Sequence, residues 1–295
     1  MTDASVHVIG ASGRSGAQLC RAMPGGFVPV VRDRTRWAAT GLPGDPWIAD
    51  LNDGEALRAA LRGAARIVSC AHARHAPAVI AAAPGEAKLV FLGSTRIFTK
   101  WPDEHGEGVK LGEAALLASG RNGVMLHPTM IYGAAGENNV QRLAALLRRL
   151  PFVPLPGGGT ALVQPIYQDD VTAAIMAALA VPWDGPHSLV IAGPAPVTYA
   201  DFVRMIAAAA GLAHPRVVAL PAPPLLAAAA LTRLMPGIPT IQPAEIRRLM
   251  EDKAFDTGPM RQILGIAPLT LEEGLARTFA GSQNRNPIRG GPAWP

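Results

Sequence analysis

The stretch Val6-His7-Val8-Ile9-Gly10-Ala11-Ser12-Gly13-Arg14-Ser15-Gly16 decides the fold. A short apolar run leads into a turn with glycine at every third position, and Ala17-Gln18-Leu19-Cys20-Arg21-Ala22-Met23 continues with helical spacing. Strand, glycine-rich turn and helix, in that order, let backbone approach a pyrophosphate and aim a helix N-terminus at it. The spacing is G-x-x-G-x-x-G rather than G-x-G-x-x-G, and a glycine pattern alone says little. Here it stands between a strand and a helix at the head of an alternating chain. The reading is a dinucleotide site built on Gly10, Ser12, Gly13, Arg14, Ser15 and Gly16.

Outward from this turn, short apolar runs predict strands at 6–9, 27–31, 47–49, 66–70, 88–92 and 123–126. Helical patterns fall between them at 15–23, 53–62 and 113–119. Such alternation implies an α/β fold, a Rossmann-type doubly wound parallel sheet with helices on both faces. An amphipathic helix follows at 140–150, and the proline- and glycine-rich stretch 151–159 reads as loop. A helix at 169–179, with Asp169 or Asp170 as its cap, precedes a last strand at 188–191. After Pro196 the pattern predicts a smaller, mainly helical C-terminal subdomain, with helices at 199–210, 225–235, 244–252 and 271–279. The helix at 199–210 opens with Thr198-x-x-Asp201, a cap-like start. The implied division is a dinucleotide-binding domain over 1–195, the small subdomain over 196–280 and a disordered tail over 281–295. The loop 151–163 is expected to lean on the small subdomain.

Composition narrows the function classes. The chain has 295 residues, 49% of them hydrophobic, and a net charge of +5. That suffices for a sizeable core. Its basic residues form no run longer than Arg148-Arg149 or Arg247-Arg248, and aromatics make up 5%. A nucleic-acid partner is therefore not expected. The two cysteines, Cys20 and Cys70, have neither metal-ligand nor disulfide spacing and read as small buried hydrophobes. The longest apolar stretch, 225–231, is too short for a bilayer span, and the N-terminus enters a strand at once. A cytoplasmic protein is the expectation, with no metal.

The residues after successive strands are read along the cofactor. Arg32-Asp33-Arg34 follows the second strand, where an acid suits the ribose of NAD and an arginine the 2′-phosphate of NADP. With Arg32 first and Arg14 as a second phosphate partner, NADP(H) is favoured over NAD(H). Asp50 and Leu51 are placed at the adenine, and Ala71, His72, Ser94 and Thr95 at the nicotinamide end. His72 and His75 are acid–base candidates or surface residues.

Several motifs resemble those of the extended and atypical short-chain dehydrogenase/reductase superfamily. They are Gly10-x-x-Gly13-x-x-Gly16, Leu92-Gly93-Ser94-Thr95, His127-Pro128-Thr129-Met130-Ile131-Tyr132-Gly133 and Val163-Gln164-Pro165-Ile166-Tyr167-Gln168-Asp169-Asp170-Val171. Glu251-Asp252-Lys253-Ala254-Phe255-Asp256 and Leu264-Gly265-Ile266 with Pro268 extend the likeness to the C-terminal part. The nearest likeness is to NAD(P)H-binding proteins akin to the nucleotide-binding accessory subunit of respiratory complex I. Sugar-nucleotide epimerases and dehydratases are more distant.

The resemblance implies Ser94 or Thr95, a tyrosine and Lys110 as catalytic residues, with Lys110, His127 and Pro128 also beside the cofactor. The tyrosine is expected four residues before the lysine, where it would pass a proton as hydride moves. Gly106 stands there, and no tyrosine occurs before Tyr132. Substitute acids would come from Asp103, Glu104, His105 or Glu107, in a loop ahead of Lys110. Tyr132 and Tyr167 are expected to be packed.

Three readings follow. The first is a nucleotide-binding, non-catalytic or redox-sensing protein. The second is an oxidoreductase or epimerase with a substitute acid, acting on an unidentified small molecule. The third is an assembly or scaffold factor that uses 220–239 against a protein partner or a membrane surface. Under the first reading an intact site would regain reductase activity with Gly106→Tyr.

Overall fold

The computed structural model describes residues 5–23, 26–133, 139–149, 152–224 and 243–283. The predicted helix 225–235, most of the proposed contact surface 220–239 and the tail beyond 283 lie outside the described residues.

The apolar runs become a seven-stranded, all-parallel sheet. Its strands are β1 (Val6–Ile9), β2 (Phe27–Val31), β3 (Trp47–Ile48), β4 (Arg66–Ser69), β5 (Lys88–Leu92), β6 (Gly123–Pro128) and, later in the chain, β8 (Pro186–Ile191). The order is β8-β6-β5-β4-β1-β2-β3. The order reverses beside β1, so a crevice opens at the C-terminal ends of β1 and β4. Sheet strands covered on both faces need continuous apolar runs, and β1 and β6 are buried throughout. On one face, α1 (Arg14–Ala22) and α7 (Gln168–Ala180) pack Leu19, Cys20, Val171 and Ile175 against Val8, Val68 and Val90. On the other, α3 (Gly54–Ala60), α4 (Ala76–Ala82) and α5 (Glu104–Ser119) pack Leu57, Val79, Val109 and Leu116 against Ile9, Ile67 and Leu89.

A third core lies beside the sheet. It joins Tyr132 and Tyr167 to α6 (Asn139–Leu147), α8 (Tyr199–Ala209) and the helix Leu271–Gln283. The two tyrosine rings meet edge-on at 5.5 Å, packed as expected.

Four expectations are corrected. Helix α5 begins at Glu104, not Glu113, so Glu104, His105 and Glu107 are helical rather than loop residues. Glycines at 106, 108 and 112 weaken the helical signal, yet packing requires them. A Cβ on Gly112 would land on the Ala73 carbonyl oxygen, and one on Gly108 would come within 2.7 Å of His72 Cε1. The stretch 151–159 is not all loop: β7 (Phe152–Pro156) pairs in parallel with β9 (Arg216–Leu220). A two-stranded sheet has open edges, so Pro154 is tolerated there. Helix α7 starts at Gln168, and neither Asp169 nor Asp170 caps it. Instead Asp170 accepts from the Leu269 amide at 3.0 Å, and Asp169 from Gln18 Nε2 at 2.9 Å. The last helix also runs to Gln283, past the predicted start of the tail.

Gly112→Ala is expected to force α5 off Ala73 and to cost about 1–3 kcal/mol of stability. A urea-unfolding midpoint equal to that of the wild type would contradict this packing.

Candidate functional site

Backbone hydrogen bonds hold the glycine turn to the sheet and to itself. The Gly10 amide donates to the Val30 carbonyl at 2.9 Å, and the Gly13 amide to the Gly10 carbonyl at 2.9 Å. Gly10 has φ +74, and a Cβ there would sit 3.1 Å from the Ala71 amide nitrogen. A Cβ on Gly16 would sit on the Gly10 carbonyl oxygen and 2.9 Å from Ala11 Cα. So β1, β4 and the first turn of α1 touch at the sheet edge where an anion would be held. Gly13 caps α1 without a side-chain acceptor.

A cleft of about 380 Å³ opens here. Of the predicted residues, Gly10, Ser12, Gly13, Arg32, Asp50, Leu51, Ala71 and His72 line it. Ser15 turns away, its hydroxyl donating to Gln168 Oε1 on α7 at 3.1 Å. Arg14 is exposed and Gly16 buried beneath the turn. The cleft also contains Arg36, which sequence reasoning missed. The short helix α2 (Arg34–Ala38) places Arg36 one turn on from Arg32. Asp33 caps α2, accepting from the Thr35 amide at 2.8 Å and the Arg36 amide at 3.2 Å. The acid that suits a free ribose is thus engaged by backbone, while two exposed arginines flank it.

Histidines form one wall. His72 Nδ1 accepts from the Arg74 amide at 3.1 Å, so in the neutral ring Nε2 carries the proton. That Nε2 lies 3.1 Å from His105 Nδ1, with the rings edge-on at 4.4 Å. Burial, then the neighbouring His105 and Arg74, pushes His72 down to about 4. Burial and Arg96 also lower His105, and burial and Arg74 lower His75.

The predicted catalytic residues scatter. Lys110 lies on the exposed side of α5, and its Nζ donates to Glu107 Oε1 at 2.8 Å. Gly106 is buried, and a Cβ there would sit 3.0 Å from the Arg96 carbonyl oxygen. Ser94 and Thr95 line a second cavity of about 1010 Å³. The Ser94 hydroxyl accepts from the Arg96 amide at 3.2 Å, and the Thr95 hydroxyl donates to the Pro128 carbonyl at 3.3 Å. His127 is fully buried, with Nε2 on Glu113 at 2.9 Å and Nδ1 facing the Ser94 amide at 3.2 Å. Glu113 also accepts from the Ser188 hydroxyl. His127 therefore ties β5, β6 and α5 together, and neither cavity is lined by it or by Pro128.

The segment 247–255 forms a roof over the second cavity. Asp103 caps α5 and accepts from Arg96 at 3.0 Å and from Arg248 at 2.9 Å. Glu251 accepts from the Thr99 hydroxyl at 2.7 Å and the Lys100 amide at 2.6 Å. The Arg247 guanidinium lies 5.0 Å over the Trp101 ring. Each candidate substitute acid thus has a partner in the protein: Asp103 these arginines, Glu104 Arg74 at 3.1 Å, His105 His72, Glu107 Lys110.

Comparison places this architecture. The solved structure of gox2253 aligns with a TM-score of 0.74 at 18% identity, covering 96% of this chain and 99% of that one. MoeE5, solved with UDP-glucuronic acid and NAD, gives 0.71 at 19% identity over 95% and 99%. The NADPH-dependent quinone oxidoreductase QOR2 of Escherichia coli, solved with NADPH, gives 0.70 at 18% over 93% and 99%. The chain has the Rossmann-type fold of these three structures. No protein-family profile matches the chain. Among curated proteins, 3beta-hydroxysteroid-dehydrogenase/decarboxylase isoform 2 of Arabidopsis thaliana is 28% identical over 207 residues, which are 61% of this chain and 36% of that protein. The chain thus spans about a third of the length of the curated relative it matches. No helix among the described residues is long and apolar enough to cross a membrane, and no cluster there has metal-ligand geometry.

A His72 pKa pushed down to about 4 makes the folded state resist protonation there. Its contribution is present above the unfolded pKa, near 6.5, and is lost as pH falls toward 4. His72→Asn keeps an acceptor for the Arg74 amide. It is expected to flatten the fall of the melting midpoint between pH 6.5 and 4. Curves that stay parallel would remove this coupling.

Proposed function

We propose that the protein binds NADP(H) at the glycine turn and is a non-catalytic or redox-sensing representative of this fold. One observation carries the reading: backbone at Gly10 and Gly16 in mutual contact, at the mouth of a cleft flanked by Arg32 and Arg36. The residues present fit a dinucleotide. The N-terminus of α1, capped by a glycine with no side-chain acceptor, suits the pyrophosphate. The cleft walls at Asp50, Leu51 and Asn52 suit the adenine, and the two arginines suit a 2′-phosphate. Solved neighbours of the same fold hold NAD or NADPH.

A nicotinamide dinucleotide supplies hydride chemistry when bound. What this chain brings to that chemistry is limited. The position of the usual phenol is a glycine seated against the Arg96 carbonyl, and Lys110 is paired with Glu107. A ligand that binds only the folded state stabilises it by mass action, which requires no proton donor.

Titration of NADPH fluorescence tests the site. Gly16→Ala is expected to abolish binding, because the new methyl collides with the Gly10 carbonyl. Arg36→Ala is expected to weaken NADPH about tenfold and leave NADH unchanged. Equal affinity of the wild type for NADPH and NADH would overturn the 2′-phosphate assignment.

With carbonyl compounds or sugar nucleotides, no NADPH oxidation is expected. Gly106→Tyr is expected to stay inactive, since its Cβ already presses on Arg96. Sustained turnover by the wild type would defeat the non-catalytic reading.

A further inference from the structure

We infer that residues 246–251 form a hinged strap at the mouth of the cavity of about 1010 Å³, and that the Asp103 carboxylate is its latch. The strap swings on residues 252–255, so an ion pair, and not main chain, sets how wide that mouth stands. Nothing in this depends on which ligand the other cleft holds.

The two halves of the roof are held differently. Residues 252–255 are tied to the body of the protein through main chain. The Lys253 amide donates to the Leu162 carbonyl at 2.8 Å, and the Leu162 amide to Asp252 Oδ1 at 2.9 Å. The Phe255 amide donates to Gln164 Oε1 at 2.7 Å, and Gln164 is itself buried, with its other end on the Gly193 carbonyl. Residues 246–251 have no such tie among the described residues. Their main-chain bonds stay local, from Leu249 to Ile246, Met250 to Arg247 and Glu251 to Arg248. A turn of this kind keeps its own bonds when it moves as a body.

Side chains hold the strap down. Arg248 Nη1 meets Asp103 Oδ2 at 2.9 Å, Glu251 accepts from the Thr99 hydroxyl and the Lys100 amide, and Arg247 lies over Trp101. The Arg248 side chain is only 11% exposed, so its ion pair is poorly screened by solvent. Asp103 can nonetheless lose Arg248 without becoming a stranded charge. Its Oδ2 keeps Arg96 at 3.0 Å, and its Oδ1 keeps the Gly106 amide at 2.8 Å. The Thr99 hydroxyl likewise keeps the Trp101 amide at 3.2 Å. Opening therefore leaves both groups on the body with a partner and carries Arg248 and Glu251 into water, which avoids the penalty of a buried unpaired charge. The cavity wall on both sides of this seam is apolar and open to solvent: Phe98, Trp101 and Met250 all line it and are exposed. Large apolar side chains left open together mark surfaces that part or receive a ligand.

Amide hydrogen exchange, followed residue by residue, tests the strap. The Lys100 amide is bonded to Glu251 of the strap, whereas the Lys253 amide belongs to the hinge. Arg248→Met keeps the side-chain stem and removes the charge. It is expected to speed exchange at Lys100 about tenfold while Lys253 and the amides of β4 stay unchanged. Arg248→Lys, which keeps the charge, is expected to exchange like the wild type. Asp103→Asn retains an acceptor for the Gly106 amide and is expected to accelerate Lys100 as Arg248→Met does. The double variant is expected to exchange no faster than either single one, because both remove the same contact. An unchanged Lys100 rate in Arg248→Met would overturn the latch, as would Arg248→Lys exchanging equally fast. Lys253 accelerating in step with Lys100 would overturn the hinge. Effects that multiply in the double variant would take the role away from Asp103.

Discussion

Contact between two pieces of backbone organises this molecule. The first turn of α1 lies against the Gly10 carbonyl with no room for a side chain at 16, and Gly10 in turn lies against Ala71 at the end of β4. That approach sets the angle at which α1 leaves the sheet and turns its N-terminus toward the crevice. It also brings the ends of β1, β2 and β4 to one edge, since the Gly10 amide reaches Val30 and the Cys70 amide reaches Ile9. Gly10, Arg32, Ala71 and His72 hang from those strand ends, while Asp50 and Leu51 follow β3 and Arg36 lies on α2. A methyl group at this point would separate them.

Helix α5 repeats the device further along the sheet. Its glycines let it settle onto Ala73, His72 and the Arg96 carbonyl. The gain is close packing and a fixed His72–His105 pair. At 106 a Cβ would sit 3.0 Å from that carbonyl oxygen, so a larger residue there would push the helix and the Arg96 turn slightly apart. Asp103 then extends this contact, capping α5 with one oxygen and gathering Arg96 and Arg248 with the other. The roof over the second cavity is thereby joined to the helix that carries Lys110.

Legibility follows the range of the interactions. Gly10, Ser12, Gly13, Arg32, Asp50, Leu51, Ala71 and His72 were readable because each occupies a turn or directly follows an apolar run, and the fold brings such positions to one edge. Arg36 was not, because a five-residue helix has almost no periodic signal. The capping role of Asp33 was unreadable too, since it depends on that same helix. Glu113 was unreadable as the partner of His127, because strand and helix had to be assembled before the two met.

The sequence by itself determined the parallel sheet, the glycine turn and the absence of a tyrosine ahead of residue 132. All three depend on neighbours within a few positions, where alternation, helical period and residue identity are directly visible. Tertiary structure alone decided that α5 starts at Glu104, that 152–156 is a strand and that the roof closes through Asp103. It also decided that Lys110 faces away from both cavities. Each of these is settled by a partner far along the chain, or by space that exists only once the layers have packed, and local propensity there is weak or points the other way.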